Sequence, residues 1–559
     1  MKRILALVLA LLSCVGLLSG CGGDTAGDPA DAQTGDGTRP SIIRFSADST
    51  PKIDPAVITD LVGSVCVENL YDNLTYPDET PNLATDWEAS PDGLEYTFHL
   101  KEGVKFHSGN DLTASDVVFS FNRFKTIGQG FAYLFDTVEE CVADDDYTVR
   151  FVLAEPLGSF MGIIWHLYIL DEETVMANIV DDGTYGEYGD YAMAWLLDND
   201  AGSGPYTATE MVHSDYFLAS RFPDWHMGWE GRENAPEQFQ AIYLTEPSTQ
   251  QTMMANQELE ISSPWFAPEN YEALDEIEGV ELAFTTWACT QYIFFNTQAA
   301  PTDDLNYRKA LSCLLDYESF LGPVFYGAER SVGPVSSAIN GHNDSCTTYN
   351  YDIEQAKEYL AQSRYADTYQ DIELECFLLD SAPALEKMML SLQANCAQVG
   401  ITMNIRKGPW LTYQEQISNP DSAPNVSTCN ITPSVNDAAS VMRTLFGSAT
   451  QGTFENPTWV STPELDERLD TAVTILDTDE RNAAAMELQD YVMAELCASA
   501  PVADMANPYA YQSTYIDWPV ADYYNETGEL KYYALHGYVH ARHQHLYRSV
   551  ILRNSYMIS

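Results

Sequence analysis

The chain has 559 residues, more than a single hydrophobic core sustains, so we expect two or more lobes. Apolar residues make up 45% of the chain and aromatic residues 12%, which excludes global disorder. The formal net charge of −56 should repel nucleic acid, so no nucleic-acid partner is expected. A solubilising surface, a field that attracts cationic ligands and salt adaptation would each give this charge, and the charge alone does not separate them.

The amino terminus has the pattern of a secretory signal peptide. Two basic residues precede an apolar run over residues 4–18, which is too short for a membrane-spanning helix. The run ends in Leu-Ser-Gly-Cys21, which resembles the bacterial lipobox, where the cysteine is acylated; an ordinary signal peptide with an incidental cysteine is the alternative. We therefore expect a signal peptide at 1–20, a lipidated Cys21, and a flexible polar tether through residue 40. The protein would lie outside the cytoplasm, anchored to the cell membrane on its periplasmic or outer side.

The body of the chain alternates strand and helix patterns. Apolar alternation predicts strands over 42–46, 97–100, 104–106, 291–296, 372–379, 401–405 and 501–504, with a Gly-Ser-Pro turn at 202–206 leading into another. Apolar spacing of three and four predicts helices over 114–123, 307–319, 352–363, 385–399 and 480–496. Thr113 and Asp116 have the spacing of a capping box before the first of these helices. The strand–helix–strand order over 372–405 indicates a second α/β lobe.

Eleven cysteines occur in the chain, and their spacing argues against metal or redox motifs. Cys14 would leave with the signal peptide and Cys21 would take lipid, which leaves nine and no Cys-x-x-Cys pair. Cys313 and Cys396 lie in apolar, helix-like context and are predicted to be buried thiols. An oxidising compartment allows one or two disulfides, but the sequence assigns no pairing.

Residues 83–123 read LATDWEASPDGLEYTFHLKEGVKFHSGNDLTASDVVFSFNR. This run resembles the signature of the family 5 extracellular solute-binding proteins, the oligopeptide, dipeptide and nickel carriers of ABC importers. Further family marks follow in order between about residues 42 and 508: Ile53-Asp54-Pro55, Tyr71-Asp72-Asn73-Leu74, Gly202-Ser203-Gly204-Pro205-Tyr206, Phe295-Asn296, and Arg308-Lys309-Ala310-Leu311 leading to Asp316. The aromatic residues of the signature are predicted to pack a core rather than to touch ligand; they are Trp87, Tyr96, Phe98 and Phe106.

The resemblance implies an α/β, two-lobed periplasmic-binding-protein-like fold (type II, large cluster C type) with two hinge crossings. Lobe I would span 41–292, with an inserted subdomain at roughly 60–200, and lobe II would span 293–503. Residues 504–559 would return to lobe I and form the C-terminal segment. The crossings are expected near 292–296 and 501–504, and a ligand would favour the closed form through the extra contacts it makes there.

The family also implies a ligand site between the lobes. The segment before the Asp-Pro mark corresponds here to Ser49 and Thr50. Trp410 matches a family tryptophan that lines side-chain pockets, and core packing is its alternative. Trp265 follows the family's Gly-x-Asp-Ile position and is expected at a strand end facing the cleft, again with core packing as the alternative.

A late loop over 429–437 completes the predicted site. Its candidate ligand residues are Asn430, Thr432, Ser434 and Asp437. In peptide carriers this loop holds a Trp and, three residues later, an Asp that pairs with the α-ammonium group of the ligand. Those two positions hold Ile431 and Ser434 here, so the amine-pairing acid is missing from its usual place. Asp437 would substitute if the loop followed another path; otherwise it is a solvated or helix-capping acid.

The residues and the resemblance together predict the substrate-binding component of an ABC importer. It would capture a peptide or related small solute and deliver it to a membrane permease and its ATPase, as a monomer and without a cofactor. No nucleophile elbow, zinc-protease motif or phosphate loop occurs, so no enzyme is expected. The alternatives are a carrier of a non-peptide ligand, such as a nickel chelate or a sugar, and a surface ligand sensor. Histidines at 536, 540, 543 and 545 lie beside Arg542 and Arg548, which would repel a cation, so no metal site is expected.

Overall fold

The computed structural model describes residues 42–58, 60–76, 79–181, 183–230, 235–380, 382–517 and 551–552. The predicted signal peptide (1–20), Cys21, the tether (21–40) and the histidines at 536–545 lie outside the described residues. Within the described ranges, no helix combines the length and apolar character that crossing a membrane requires.

The described residues form both strands and helices along the whole chain. The strands are β1 (Ile42–Ala47), β2 (Ala84–Ala89), β3 (Glu95–Leu100), β4 (Val138–Asp145), β5 (Thr148–Leu153), β6 (Tyr206–Val212), β7 (Tyr216–Arg221), β8 (Gln238–Tyr243), β9 (Val280–Phe295), β10 (Glu329–Arg330), β11 (Glu373–Leu379), β12 (Thr402–Gly408), β13 (Val426–Ile431), β14 (Ser499–Gln512), β15 (Ile516–Asp517) and β16 (Ile551–Leu552). The α-helices are α1 (Leu61–Leu70), α2 (Ala114–Ile127), α3 (Phe160–Ile163), α4 (Glu172–Ala177), α5 (Pro247–Ala255), α6 (Pro268–Asp275), α7 (Leu305–Cys313), α8 (Ile353–Gln362), α9 (Pro383–Gln398), α10 (Trp410–Ile417), α11 (Ala438–Phe446), α12 (Pro463–Thr474) and α13 (Thr478–Tyr491).

Three larger sheets organise these elements. Lobe I is built on the sheet β1-β8-β7-β6, in which β1 and β8 are parallel. The antiparallel sheet β2-β3-β5-β4 falls within the segment predicted as an inserted subdomain. Lobe II is built on the sheet β10-β14-β9-β13-β11-β12, where α9 connects the parallel strands β11 and β12 as predicted. The two-lobed α/β fold predicted from the sequence is confirmed.

Two long antiparallel strands, β9 and β14, connect the lobes. Their pairing extends from Phe294 opposite Ser499, in lobe II, to Val280 opposite Gln512. At the lobe I end, Ile261 bridges both β1 and β14 and so joins these strands to the lobe I sheet. The register of β14 shifts twice between residues 501 and 506. The crossings expected near 292–296 and 501–504 fall within or at the end of these strands, which continue further into lobe I than the sequence pattern indicated.

The aromatic residues of the signature pack in a core, as predicted, and that core is shared with residues of β1, β7 and β8. Tyr96, Phe98 and Phe106 are buried, and the ring of half-buried Trp87 lies 6.1 Å from that of Phe98. The capping box predicted at Thr113 is present at the start of α2. This helix ends at Gly128, whose left-handed backbone (φ 65°) suits a residue without a side chain.

Two predicted elements are wrong, and in each case a backbone hydrogen bond outside the predicted element explains why. Residues 104–106 do not form a strand, because they pair within their own loop: Val104 accepts from the Leu112 amide at 2.9 Å. The helix predicted over 307–319 ends at Cys313, whose carbonyl accepts from the Asp352 amide at 2.9 Å. Apolar periodicity does not report such distant partners.

The nine cysteines of the described residues are all buried free thiols, as predicted for Cys313 and Cys396. Burial raises the pKa of each of these two thiols to about 12. A protonated, enclosed thiol is a poor nucleophile, so these side chains serve as small apolar core groups.

His107, the last residue of the signature's Gly-Val-x-Phe-His segment, connects that segment to residues 200–204. Its Nδ1 lies 2.5 Å from Asp200 Oδ1, and its Nε2 lies 2.9 Å from the Gly204 carbonyl oxygen. Both side chains of this pair are buried. Burial by itself lowers the pKa of His107, but the charge and hydrogen bond of Asp200, the hydrogen bond to Gly204 and the charge of Asp72 together outweigh burial, and the pKa lies above its ordinary value.

We expect His107→Gln to be most destabilising at acidic pH. The folded state binds the histidine proton more tightly than the unfolded state. The stabilisation is therefore complete below the ordinary pKa of about 6.5 and is lost as the pH rises through the raised folded value. Thermal unfolding from pH 5.5 to 8.5 should show the gap to wild type narrowing with pH. The exposed pair His213–Asp198 supplies the control variant His213→Gln; a gap for His107→Gln that is constant with pH would contradict this assignment.

Candidate functional site

Lobe II and the inserted subdomain touch directly at Ser434. The Tyr133 hydroxyl lies 2.8 Å from the Ser434 hydroxyl, and His166 Nε2 donates to the Ser434 carbonyl oxygen at 2.9 Å. The His166 ring stacks on Trp165 at 3.7 Å, and Trp165 is buried in a cluster whose other members are residues of β9 and lobe II. These contacts hold the 429–437 loop, which is predicted to bind ligand, against the inserted subdomain.

A second contact between the same two parts lies near the start of α3. The Gly158 amide donates to the Val473 carbonyl at 2.9 Å, at the end of α12. The Ser159 and Ser440 hydroxyls are 3.0 Å apart. With the Ser434 contacts, these hydrogen bonds join lobe II to the inserted subdomain in the described structure.

Exposed aromatic rings occur both in lobe II and in the inserted subdomain. Trp410 is the first residue of α10 and is 40% exposed, with its ring 5.3 Å from Phe454 and 5.6 Å from Tyr413. Tyr133 is 57% exposed although its hydroxyl is bound to Ser434. A large, partly uncovered ring offers an apolar surface that a ligand can cover. Trp410 is therefore not a fully buried core residue.

Trp265 lies in lobe I, close to the connecting strands. It follows Ile261, which bridges β1 and β14, by four residues, and it is 47% exposed. The sequence analysis expected it at a strand end, and the structure places it just beyond this bridge.

The predicted loop residues differ in their surroundings. Asn430, at the end of β13, is exposed, and Thr432 is half-buried. Burial raises the pKa of the Cys289 thiol to about 12, and hydrogen bonds with Thr432 and Asn430 offset part of that effect. Both side chains thus face β9, one of the two connecting strands.

Asp437 is held by two partners in lobe II. Its Oδ1 accepts from the Ser440 amide at 2.9 Å and so caps α11. Its Oδ2 accepts from Arg481 Nε at 2.6 Å, and both side chains of this ion pair are only 5% exposed. The carboxylate therefore acts as a helix cap and as the counter-ion of a buried arginine.

Ser49 and Thr50 lie on the lobe I side. The Thr50 hydroxyl accepts from the Ser214 amide at 2.9 Å, and Ser49 is half-buried. Among the described residues, no hydrogen bond joins either of them to Trp265, to Trp410 or to the 429–437 loop.

Glu455 is a residue at the junction that the sequence analysis missed. It is half-buried, and burial raises its pKa. It follows Phe454, whose ring packs on Trp410. The loop sequence Gly-Thr-Phe-Glu-Asn-Pro contains no motif that would have marked it; the only signal is an acid next to an aromatic residue.

The described part of the chain contains no group of three or more His, Cys, Asp or Glu side chains that could hold a metal ion. The contacts at the junction are made by hydroxyl groups, an imidazole and backbone carbonyls.

Comparisons with known proteins agree with this geometry. A family described as "Bacterial extracellular solute-binding proteins, family 5 Middle" matches residues 79–453. The protein named "Probable D,D-dipeptide-binding periplasmic protein" from Escherichia coli (strain K12) is 25% identical over 78% of this chain and 79% of its own length. Heme-binding protein A from Haemophilus influenzae is also 25% identical, over 86% of this chain and 90% of its own. The solved structure of HbpA2 from Haemophilus parasuis has the same fold, with a TM-score of 0.74, 20% identity, and coverage of 85% of this chain and 96% of that one. This chain belongs to the family 5 bacterial extracellular solute-binding proteins.

Proposed function

We propose that this protein captures a peptide or related small solute between its two lobes and delivers it to the permease of an ABC importer. The observation that carries the proposal is the Ser434 junction, where lobe II contacts the inserted subdomain, and lobe II also presents the exposed ring of Trp410. A cleft that closes over aromatic surface and hydroxyl groups binds a ligand by enclosing it, and requires no reaction.

The strands β9 and β14 act as the hinge in this proposal. Lobe I corresponds to 41–292 with its inserted subdomain at roughly 60–200, lobe II to 293–503, and the return segment to 504–559. Asp504 lies where the register of β14 shifts, and its carboxylate accepts from the Thr290 hydroxyl and the Ser337 amide at 2.7 and 2.9 Å. In a hinge, a few residues absorb most of the change in backbone φ and ψ angles.

The ligand surface in this proposal consists of residues from both lobes. Lobe I contributes Ser49, Thr50 and Trp265, and lobe II contributes Trp410, Asn430, Thr432 and Ser434. Asp437 supports the surface from behind, by capping α11 and pairing with Arg481. The protein works as a monomer, without a cofactor or catalysis, and is held at the membrane by lipid on Cys21; the intact mass of membrane-extracted protein tests that acylation.

A peptide ligand is expected to stabilise the protein against heat. Ligand at one hundred times its Kd adds about 2.7 kcal/mol to the free energy of unfolding, enough for a clear rise in Tm. The measurement is a thermal-shift assay with a library of di- and tripeptides at millimolar concentration. A mixture of free amino acids at the same total concentration is the control.

Absence of any shift with peptides would contradict the peptide part of this proposal. It would favour a carrier of a non-peptide solute, which the Ser434 position already makes a specific alternative, because peptide carriers place an amine-pairing acid there. Deleting the cognate permease distinguishes a carrier from a surface sensor. A carrier then loses all uptake, whereas a sensor keeps its output.

A further inference from the structure

Residues 331–342 form a strap that follows β10 and runs along the strands that connect the lobes. The Ser331 amide donates to the Val502 carbonyl oxygen of β14 at 3.4 Å. The Tyr292 hydroxyl of β9 donates to the Pro334 carbonyl oxygen at 2.9 Å. The first part of the strap is therefore hydrogen-bonded to both connecting strands.

Asp504 holds the middle of the strap at the point where the register of β14 shifts. Its Oδ2 accepts from the Ser337 amide at 2.9 Å, and its Oδ1 accepts from the Thr290 hydroxyl of β9 at 2.7 Å. The residue is only 4% exposed, so its carboxylate depends on these donors in place of water. The strap, β9 and β14 thus meet at one buried carboxylate.

The far end of the strap is paired with the 429–437 loop and with the helix that follows it. The Asn340 amide donates to Asn436 Oδ1 at 2.9 Å, and the Asn340 carbonyl oxygen accepts from the Ala438 amide at 3.0 Å. Ala438 is the first residue of α11, where backbone amides have no partner within the helix. Both backbone groups of Asn340 therefore hold the end of the loop that is predicted to bind ligand.

Between these two ends the strap is a closed and well-packed turn. The Ile339 amide donates to the Ser336 carbonyl oxygen at 3.0 Å. The buried side chains of Val335 and Ile339 belong to the same core cluster as Tyr292 of β9 and Ile431 of the loop. Close-packed interiors transmit strain, so a displacement at one end of the strap reaches the other end.

We propose that the strap couples the connecting strands to the 429–437 loop: bending of the strands at Asp504 displaces Asn340, and Asn340 sets where the loop ends. The inference rests on the proposed function, because it takes this loop as part of the ligand surface and β9 and β14 as the hinge. Asp504 and Asn340 are positioning residues that act through the loop. Coupling of this kind is reciprocal, so a ligand held by the loop also biases the hinge.

Hydrogen–deuterium exchange of the ligand-free full chain measures this coupling from both ends. Asp504→Ala removes the acceptor of the Ser337 amide, and the fragment that carries the Ala438 amide should then exchange about 10-fold faster, the size expected when one hydrogen bond is weakened. Asn436→Ala removes the acceptor of the Asn340 amide, and the fragment that carries Ser337 should exchange faster by a similar factor. This second variant changes a loop side chain and decides the question if Asp504→Ala does not fold.

Asp490→Ala is the matched control, because Asp490 has the same kinds of donor as Asp504. It lies on α13 and accepts from the Thr347 amide at 2.9 Å and from the Thr347 hydroxyl at 2.7 Å. Thr347 lies beyond the end of the strap. The control should speed exchange around Thr347 and leave the Ala438 fragment at the wild-type rate.

Binding is measured separately, by the concentration dependence of the thermal shift with a di- and tripeptide library. Asp504→Ala and Asn436→Ala should each weaken the apparent affinity about 10-fold, and Asp490→Ala should bind as wild type does. The double variant Asp504→Ala with Asn436→Ala should bind no more weakly than either single variant, because both changes break one chain of contacts. Losses that simply add would contradict the coupling.

The outcomes separate this inference from the proposed function. If a folded Asp504→Ala leaves the Ala438 fragment unchanged, or if Asn436→Ala leaves the Ser337 fragment unchanged, the coupling is refuted, whatever the protein binds. If Asp490→Ala speeds the Ala438 fragment equally, the effect is a general loss of stability and the coupling is also refuted. If the exchange shows coupling and no peptide shifts the wild type, the peptide function fails and the coupling stands. If peptides bind both variants as tightly as they bind wild type, the peptide function stands and the role of the strap in binding is refuted.

Discussion

Replacing Arg123 with alanine is expected to lower the free energy of unfolding by about 3–5 kcal/mol. The guanidinium is 1% exposed, and it donates to both carboxylate oxygens of Asp54, at 2.8 and 2.6 Å. Its Nε donates to the Tyr191 carbonyl at 3.1 Å. Removal of the guanidinium leaves a buried carboxylate without its counter-ion, which costs far more than the net worth of the pair.

Chemical denaturation followed by tryptophan fluorescence measures this loss. Arg150→Ala is the matched control, because Arg150 pairs with Asp144 at the surface of the same subdomain, 3.0 Å apart. An exposed pair contributes about 0–1 kcal/mol, so the control should unfold close to wild type. The double variant Arg123→Met with Asp54→Leu should cost less than Arg123→Ala alone, because it leaves no unpaired charge. Equal losses for Arg123→Ala and Arg150→Ala would refute the special role of the buried pair.

The parts of the fold that were predictable from the sequence depend on local patterns. The capping box at Thr113 and the β11-α9-β12 unit follow from spacing that a short segment carries by itself. The helix predicted to continue past Cys313 failed because the Asp352 amide takes the Cys313 carbonyl. That partner is far along the chain, and periodicity contains no information about it.

The candidate site was less predictable for the same reason. Asp437 has the sequence features of both a ligand acid and a helix cap. In the structure it caps α11 and pairs with Arg481, which lies forty-four residues later in the chain. Glu455 belongs to no motif, and only the fold brings its charge near Tyr133. The sequence leaves Trp410 between core and cleft, and the structure shows that its side chain is 40% exposed. Residue type identifies candidates for binding, whereas tertiary partners determine which of them are free to bind.

Gly158→Ala is expected to weaken ligand binding about 5- to 150-fold while leaving the ligand-free protein stable. A Cβ at residue 158 would collide with the Ile475 carbonyl oxygen and lie 2.9 Å from Arg481 Nη1, both in lobe II. The backbone of Gly158 is outside the left-handed region, so alanine is tolerated there by local geometry. The added methyl group therefore destabilises the closed form. Overpacking costs about 1–3 kcal/mol, which corresponds to a 5- to 150-fold increase in Kd.

Gly162→Ala provides the control four residues away. A Cβ there would meet Val435 Cγ1 at an ordinary 3.5 Å, so closure and affinity should be close to those of wild type. Calorimetry with a peptide that stabilises the wild type gives the three Kd values. X-ray scattering at saturating ligand should show wild type and Gly162→Ala compact, and Gly158→Ala more open.

The ligand-free unfolding temperature decides what a weakened Gly158→Ala variant means. If the 158–475 contact forms only on closure, the added methyl group clashes with nothing in the open form. The ligand-free variant then has the same Tm as wild type. If the contact persists in both forms, the ligand-free Tm falls and affinity changes little, since a cost shared by both states does not shift the equilibrium between them. A drop in ligand-free Tm with unchanged Kd would therefore place the hinge motion elsewhere and make the Gly158 contact part of a permanent interface.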